Sequence, residues 1–216
     1  MYPAIYKLKN QGLNFLWIGW PGIIPRNEEE KQKITKLLAD QKCIPIFLDS
    51  ETIYLNSLFV DQHLYTLFHS FKGSDSNDLD LTADLWNAYK DVNMIFVNKL
   101  MEIKKEGDIV WINNLYLMLT PMFLKRQDIS ANIGFYLHCP FPSIDIYKVF
   151  IYRTEVLKSL LCCDVVGFHS FEYASNFFHS CEDILNLTVK SKRGGFIVIE
   201  YSGRNILIKV NHIGIN

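Results

Sequence analysis

Hydrophobic and polar positions along the chain alternate between short apolar runs, which predict strands, and longer amphipathic segments, which predict helices. The runs of strand length cover residues 13–19, 43–48, 108–112, 132–138 and 163–169. Residues 27–41 predict a helix with Asn27 as its N-cap, and residues 51–71 have a helical, aromatic-rich pattern. Residues 81–106 predict a long helix with one apolar face, made of Leu85, Tyr89, Val92, Phe96, Leu100 and Ile103.

Strands that alternate with helices predict an α/β fold. We expect a Rossmann-like, mostly parallel sheet flanked by helices, with a carboxyl-terminal β-hairpin that turns at Ser202 and Gly203. Residues 13–19 predict a buried strand, and Pro45 predicts that residues 43–48 form an edge strand. The length of 216 residues fits a single domain over residues 1–216, with a mobile polar loop at 72–80.

Polar side chains follow three of the predicted strands. Asn113 and Asn114 come just after one strand, and His138 and His169 end the next two. Because ligands of parallel sheets bind beyond the carboxyl ends of the strands, these residues predict a binding crevice. Two alternatives stay open: an asparagine here also caps helices well, and either histidine can be satisfied by nearby backbone.

Composition and charge exclude several classes of function. The 22 basic and 23 acidic residues nearly balance, so neither nucleic acid nor an anionic membrane is expected as a partner. No apolar run is long enough to cross a bilayer. The five cysteines include no C-x-x-C pair and the histidines form no ligand pattern, so no metal site is expected. This cysteine pattern also predicts a reducing, cytoplasmic compartment.

Glycine and aromatic residues add weaker candidates. The sequence contains neither G-x-G-x-x-G nor G-x-x-x-x-G-K, so it has no phosphate-cradling fingerprint. Trp20, in G-W-P-G after the first predicted strand, can stack on a sugar or pack between domains. The aromatic stripe that contains Tyr54 and Tyr65 has the helical spacing that is typical of a core.

Several segments together resemble a known family. The stretches IGFYLHCPFPSIDIYKVF, DVVGFHSFEYASNFFHSC and SKRGGFIVIEYSGRNILIKVNHIGI are similar to the amino-terminal half of trehalose-6-phosphate synthases. WIGWPG, LYTLFH and GDIVWINNLYLMLTP occur in the order that this family has, so the resemblance covers residues 13–215. The synthase-like part of synthase/phosphatase fusion proteins is the most similar.

The resemblance implies a GT-B glycosyltransferase with two Rossmann-like domains and the active site between them. Such an enzyme transfers glucose from UDP-glucose to glucose 6-phosphate with retention, and it needs no metal or other cofactor. The amino-terminal domain holds the acceptor sugar phosphate, and the second domain holds the nucleotide sugar. The expected partners are therefore these substrates and a second GT-B domain or a homologous subunit.

The matching motifs imply roles for individual residues. His138, before the Pro-Phe-Pro turn, would contact the transferred glucose, and His169 stands at the histidine of the G-F-H-T motif. Trp20 matches an acceptor-side tryptophan. Tyr65 stands where the family has an acceptor-site tryptophan, and Tyr54 is the surviving member of a tyrosine pair.

One departure bears on the chemistry. Where the family has V-W-V-H-D-Y-H-L-M, this chain has V-W-I-N-N-L-Y-L-M, so Asn114 stands at the active-site aspartate and Asn113 at the neighbouring histidine. An amide can hydrogen-bond a sugar hydroxyl, but it carries no charge and takes up no proton. The family's glycine-rich loop before Leu13 and its nucleotide-binding domain after Asn216 are also expected to be absent from this chain.

Two hypotheses follow from these residues. The chain is a synthase-type domain that is inactive in isolation, or it is a non-catalytic homologue that acts as a sugar-phosphate sensor or interaction domain. His138 and His169 favour a retained ligand contact, whereas the two asparagines favour the loss of chemistry.

Overall fold

The structure, a computed structural model, describes residues 12–69, 79–192 and 196–212. The chain divides into two compact units, Met1–Ile53 and Tyr54–Asn216. The single domain over residues 1–216 stays a prediction. Of the predicted loop at 72–80, residues 72–78 lie outside the described residues, and residues 79 and 80 begin a helix.

Within the described residues, the first unit contains a two-stranded parallel sheet, the helix that connects its strands and the first residues of a second helix, which begins at Ser50. Strand β1 (Trp17–Gly19) pairs with β2 (Cys43–Pro45), and helix α1 (Glu28–Ala39) connects them. The predicted cap is present, because the Asn27 side chain accepts a hydrogen bond from the backbone N–H of Glu30 at 2.8 Å. Pro45 lies in a strand that has one described neighbour, as an edge strand requires.

The prediction of a buried strand over residues 13–19 was wrong in extent and in burial. The strand is three residues long, and Leu13, Leu16 and Trp17 are exposed. Burial of a strand on both faces requires a layer on each side of the sheet. Helix α1 has no buried residue, so it does not provide a closed layer.

The second unit contains a six-stranded sheet in the order β3-β4-β5-β8-β7-β6. Its strands are β3 (Ile109–Asn113), β4 (Asn132–Tyr136), β5 (Val165–Phe168), β6 (Val189–Lys192), β7 (Phe196–Tyr201) and β8 (Arg204–Val210). Strands β3, β4, β5 and β8 are parallel neighbours, whereas β7 runs antiparallel to both β6 and β8. The predicted α/β fold, its mostly parallel sheet and its hairpin at Ser202 and Gly203 are confirmed.

Helices cover this sheet and enclose the core. They are α2 (Ser50–Phe59), α3 (Thr66–Phe68), α4 (Leu79–Ile103), α5 (Thr120–Gln127), α6 (Ile144–Tyr147), α7 (Arg153–Leu160) and α8 (Phe171–Leu185). In the predicted apolar face of α4, Leu85, Tyr89, Val92 and Phe96 are buried and the last two residues are partly buried. No helix in the described ranges is long and apolar enough to span a bilayer.

A π-helix, Val60–Tyr65, joins α2 to α3. The predicted helical segment at 51–71 is therefore helical through residue 68 but changes its winding in the middle. Phe59, Leu64 and Phe68 of this segment are fully buried, which confirms that part of the aromatic stripe forms core. Single π turns occur often beside functional sites, because they change the direction of side chains.

Candidate functional site

The carboxyl ends of β3, β4 and β5 form one edge of the sheet, and polar side chains gather there. Asn113 is the last residue of β3 and pairs with Tyr136, the last residue of β4. The prediction that both asparagines follow the strand is corrected for Asn113, because its pairing with Tyr136 extends the strand by one residue. His138 lies two residues after β4, and His169 lies one residue after β5.

Asn113 links two aromatic residues. Its Oδ1 lies 3.1 Å from Trp111 Nε1 and 3.0 Å from His138 Nε2. An indole N–H only donates, so the amide oxygen faces both groups and accepts from both. The His138 proton is therefore on Nε2, and Nδ1 of the neutral ring is left as an acceptor.

Tyr136 links His169 to the segment that follows β8. Its hydroxyl lies 2.8 Å from His169 Nδ1 and 2.6 Å from the backbone oxygen of Asn211, just after β8. Sequence reasoning missed both Tyr136 and Asn211. The polar residues after the apolar run of β8 were an available signal for Asn211, whereas Tyr136 is hidden inside an apolar strand.

The aromatic rings of the edge lie against one another. The Tyr136 ring centroid is 4.8 Å from that of His138 and 5.1 Å from that of His169, and the two imidazoles are 5.4 Å apart. Burial of its ring, with the nearby His169, lowers the pKa of His138, and burial raises the pKa of Tyr136. We call Asn113, Asn114, Tyr136, His138 and His169 the rim.

Asn114 has an unusual backbone and an unpartnered side chain. Its φ of 63° and ψ of −172° lie in a region that glycine favours, and its N–H donates to the Tyr136 oxygen at 2.9 Å. Its Oδ1 is buried and has no hydrogen-bond partner among the described residues. The alternative that Asn114 caps the following helical turn was wrong, because its side chain makes no capping bond.

Two buried side chains of α4 hold the segment that follows Asn114. Tyr89 donates to the Leu115 oxygen at 2.6 Å and accepts from the Met118 N–H at 3.0 Å. Asn93 Oδ1 accepts from the backbone N–H groups of Leu119 and Thr120 and from the Thr120 hydroxyl. The Asn93 amide group donates to the backbone oxygens of Tyr89 and Tyr116. We call Tyr89 and Asn93 the clamp; neither was predicted to have this role.

The structure does not bring all predicted site residues together. Tyr65 ends the π-helix, which packs against the turn Leu115–Leu117, and its ring stacks on His69 with centroids 3.8 Å apart. Tyr54 is exposed on α2, and no ring contact or hydrogen bond within the described ranges links it to the rim. Trp20 is exposed in the first unit. The acceptor-side roles of these three aromatic residues stay predictions.

Helix α8 begins directly after His169 and Ser170. The Ser170 hydroxyl accepts from the Tyr173 N–H at 3.3 Å and caps the helix.

Within the described residues, no group of three or more potential ligands could hold a metal ion. The rim thus consists of amides, imidazoles and a phenol, which suit hydrogen bonding to hydroxyl groups.

Comparison with known proteins identifies the family. The model of glycosyltransferase family 20 matches residues 1–216. The UDP-forming trehalose-phosphate synthase 6 of Arabidopsis thaliana is 44% identical over 198 residues, which cover 89% of this chain and 23% of that protein. The UDP-forming synthase of Yarrowia lipolytica is 35% identical over 221 residues, or 99% of this chain and 45% of that protein.

Solved structures agree with this result. The amino-terminal domain of the Candida albicans trehalose-6-phosphate phosphatase superposes with a TM-score of 0.82 at 27% identity, over 92% of this chain and 41% of that one. An E. coli trehalose-6-phosphate protein bound with UDP-2-fluoro glucose has a TM-score of 0.77 at 23% identity, over 99% of this chain and 45% of that one, which shows a shared fold.

The chain spans less than a quarter of the length of the Arabidopsis relatives and under half of the Yarrowia one. Its fold is that of the amino-terminal half of a GT-B protein. The chain therefore belongs to glycosyltransferase family 20, as a domain similar to part of the trehalose-phosphate synthases.

Proposed function

We propose that the rim binds the sugar portion of a substrate for glucosyl transfer from UDP-glucose to glucose 6-phosphate. The observation that carries this proposal is the meeting of Asn113, His138 and His169 at the carboxyl edge of three parallel strands. Ligands of such sheets bind at this edge. Relatives support the substrate class: several are UDP-forming synthases, and a synthase of Burkholderia xenovorans forms a complex with glucose-6-phosphate.

The charge of the rim indicates which part of the substrate it holds. Asn113, Asn114 and Tyr136 are neutral, and the lowered pKa of His138 favours its neutral form near pH 7. Neutral donors and acceptors suit sugar hydroxyls, whereas phosphate groups are bound best by cationic side chains. We therefore assign the phosphate and nucleotide contacts to other parts of the protein, including a second GT-B domain or a homologous subunit. The greater length of the relatives supports such a partner.

Asn114 argues against turnover by this chain alone. Its amide stands where the resemblance places a carboxylate, and an amide takes up no proton from a reacting hydroxyl. We infer that the isolated chain binds a substrate without transferring glucose, and that it requires no metal.

The experiment measures binding and turnover on the same preparation. Calorimetric titration with glucose 6-phosphate and, separately, with UDP-glucose should give saturable heat with at least one of them. His138→Ala should abolish that heat. His179→Ala, which changes an exposed histidine on α8, should leave it unchanged. An assay for released UDP with both substrates should detect none; flat titrations with both ligands would contradict the proposal.

A second candidate function is that of a sugar-phosphate sensor or regulatory domain without catalysis. The observation that favours it is the neutral amide of Asn114, which is held in a strained backbone with its oxygen unpartnered. Joining this chain to a complete second domain distinguishes the two functions. The sensor binds but stays silent even with Asn114→Asp, whereas the synthase domain gains turnover with that substitution.

The compartment is also a proposal. All five cysteines are free thiols, and Cys139, Cys163 and Cys181 are buried. Free buried thiols are typical of a reducing compartment. We therefore place the protein in the cytoplasm, where sugar phosphates and nucleotide sugars are available.

A further inference from the structure

The hydrogen bonds of the Tyr136 hydroxyl determine where the proton of His169 lies. The hydroxyl oxygen is 2.6 Å from the Asn211 backbone oxygen and 2.8 Å from His169 Nδ1. A carbonyl oxygen only accepts, so the single phenolic proton points to Asn211. His169 Nδ1 must then donate its own proton to the phenolic oxygen. The neutral ring is therefore protonated on Nδ1, and its Nε2 is an acceptor.

The position of Tyr136 is fixed by close packing. Tyr136 lies opposite Gly167 in the parallel pairing of β4 and β5. A Cβ added to Gly167 would lie 2.4 Å from Cδ2 of Tyr136, so the ring occupies the space that any side chain at 167 would need. The ring also contacts both imidazoles, and the Tyr136 backbone oxygen accepts from Asn114. Tyr136 therefore contacts several groups of the rim.

The imidazoles of His138 and His169 have opposite tautomers. His138 carries its proton on Nε2 and donates it to Asn113, whereas His169 carries its proton on Nδ1. No hydrogen bond within the described ranges uses the remaining nitrogen of either ring. Each histidine therefore uses one ring nitrogen in a hydrogen bond to the protein, and the lone pair of its other nitrogen has no partner among the described residues.

We propose that Tyr136 is a positioning residue, which fixes His169 as the Nδ1–H tautomer so that Nε2 accepts a hydrogen bond from a hydroxyl group of the ligand. The hydroxyl ligand rests on the proposed function, whereas the tautomer rests only on the contacts of Tyr136. Tyr136 suits this role because its ring packs against Gly167 and its hydroxyl binds Asn211 and His169. The ring and the hydroxyl cannot move separately.

The test is the tautomer of His169, measured by long-range ¹H–¹⁵N correlation spectra on histidine-labelled protein. The pH is kept well above the ordinary histidine pKa of about 6.5, and His169→Gln assigns the signals. In the native protein the spectrum should show protonated Nδ1 and unprotonated Nε2. Tyr136→Phe keeps the ring on Gly167 and removes the hydroxyl, so the signals should shift towards the Nε2–H form. Tyr201→Phe, a tyrosine elsewhere in the sheet, should leave them unchanged.

Two results would overturn the proposal: an Nε2–H pattern for His169 in the native protein, or an unchanged Nδ1–H pattern in Tyr136→Phe. The native spectrum measures the tautomer even if the variant fails to fold. Addition of glucose 6-phosphate and of UDP-glucose separates this proposal from the proposed function. If no ligand shifts the His169 signals while the tautomers behave as expected, then the proposed function fails and the positioning role of Tyr136 stands.

Discussion

The clamp, on helix α4, and the rim are two polar clusters that both contact the end of β3 or the segment just after it, and they differ in how completely their hydrogen bonds are formed. In the clamp, Asn93 Oδ1 accepts from three donors and its amide group donates to two backbone oxygens, while the Tyr89 hydroxyl both donates and accepts. In the rim, the side-chain oxygen of Asn114 is buried, and no residue in the described part of the chain forms a hydrogen bond with it.

This difference distinguishes a cluster that stabilises the fold from one that we propose binds a ligand. A buried polar network in which every group is satisfied stabilises one local conformation. A buried acceptor without a partner costs stability, so it persists only where its surroundings hold it. The clamp binds the backbone immediately after Asn114, and we infer that it sustains the strain of that residue. The unpartnered Asn114 oxygen thus lowers the stability of the rim, and it is an acceptor that a ligand can use.

The largest expected effect comes from breaking the clamp. Asn93→Ala leaves the N–H groups of Leu119 and Thr120 and the Thr120 hydroxyl without their acceptor in a buried site. Each unsatisfied buried group costs about 1–3 kcal/mol. We expect the free energy of unfolding to fall by about 3 kcal/mol or more, measured by urea unfolding.

The matched control is Asn98→Ala, which changes an exposed asparagine on the same helix. Exposed substitutions of this kind usually change stability by less than about 0.5 kcal/mol. Equal losses for the two variants would show that the clamp contributes nothing beyond helix propensity. The comparison between clamp and rim would then lose its energetic basis.

An intermediate effect of the opposite sign is expected at the rim. Asn114→Gly removes an unpartnered buried oxygen and relieves a backbone conformation that glycine adopts freely. We expect a gain of about 1 kcal/mol in the free energy of unfolding, together with weaker sugar binding in calorimetry.

Asn186→Gly is the control for this gain. Asn186 ends α8 at φ 54° and ψ 39°, a left-handed conformation that asparagine tolerates, and it is exposed. The gain there should be only a few tenths of a kcal/mol. A loss of stability in Asn114→Gly would mean that the asparagine side chain supports the fold.

The sheet and the polar residues at its carboxyl edge could be predicted because their signals are local. Each apolar run ends in polar residues, and parallel strands bring their carboxyl ends to one edge, so His138 and His169 could be placed from the pattern alone. The hairpin turn at Ser202 and Gly203 was equally local, since both residues have a positive φ.

The features that the sequence did not predict depend on contacts between residues that are distant in sequence. Tyr136 lies within an apolar strand, and only the neighbouring Gly167 and the oxygen of Asn211 give its hydroxyl a role. Asn93 lies beside the apolar face of a helix, and its partners in the segment after Asn114 are 23–27 residues away in sequence. The exposure of Leu13, Leu16 and Trp17 could not be predicted either, because burial depends on which layers cover a strand.

The smallest expected effect is a change in the pH dependence of stability. Burial of its ring, with the nearby His169, lowers the pKa of His138 in the folded protein. Below the ordinary pKa of about 6.5 the unfolded chain therefore binds a proton more readily than the folded one. The free energy of unfolding should be highest above that pH and should fall as the pH decreases through the folded pKa.

His138→Gln tests this expectation, because the glutamine amide can still donate to Asn113 but does not titrate. The variant should lose less stability than the native protein between about pH 7 and pH 5, measured by urea unfolding at each pH. Burial also lowers the pKa of His63, so part of the pH dependence should remain in the variant. If both proteins lose the same stability over this range, His138 is as easily protonated when folded as when unfolded. The rim would then carry a positive charge in mild acid, and it would suit an anionic ligand better than a neutral sugar.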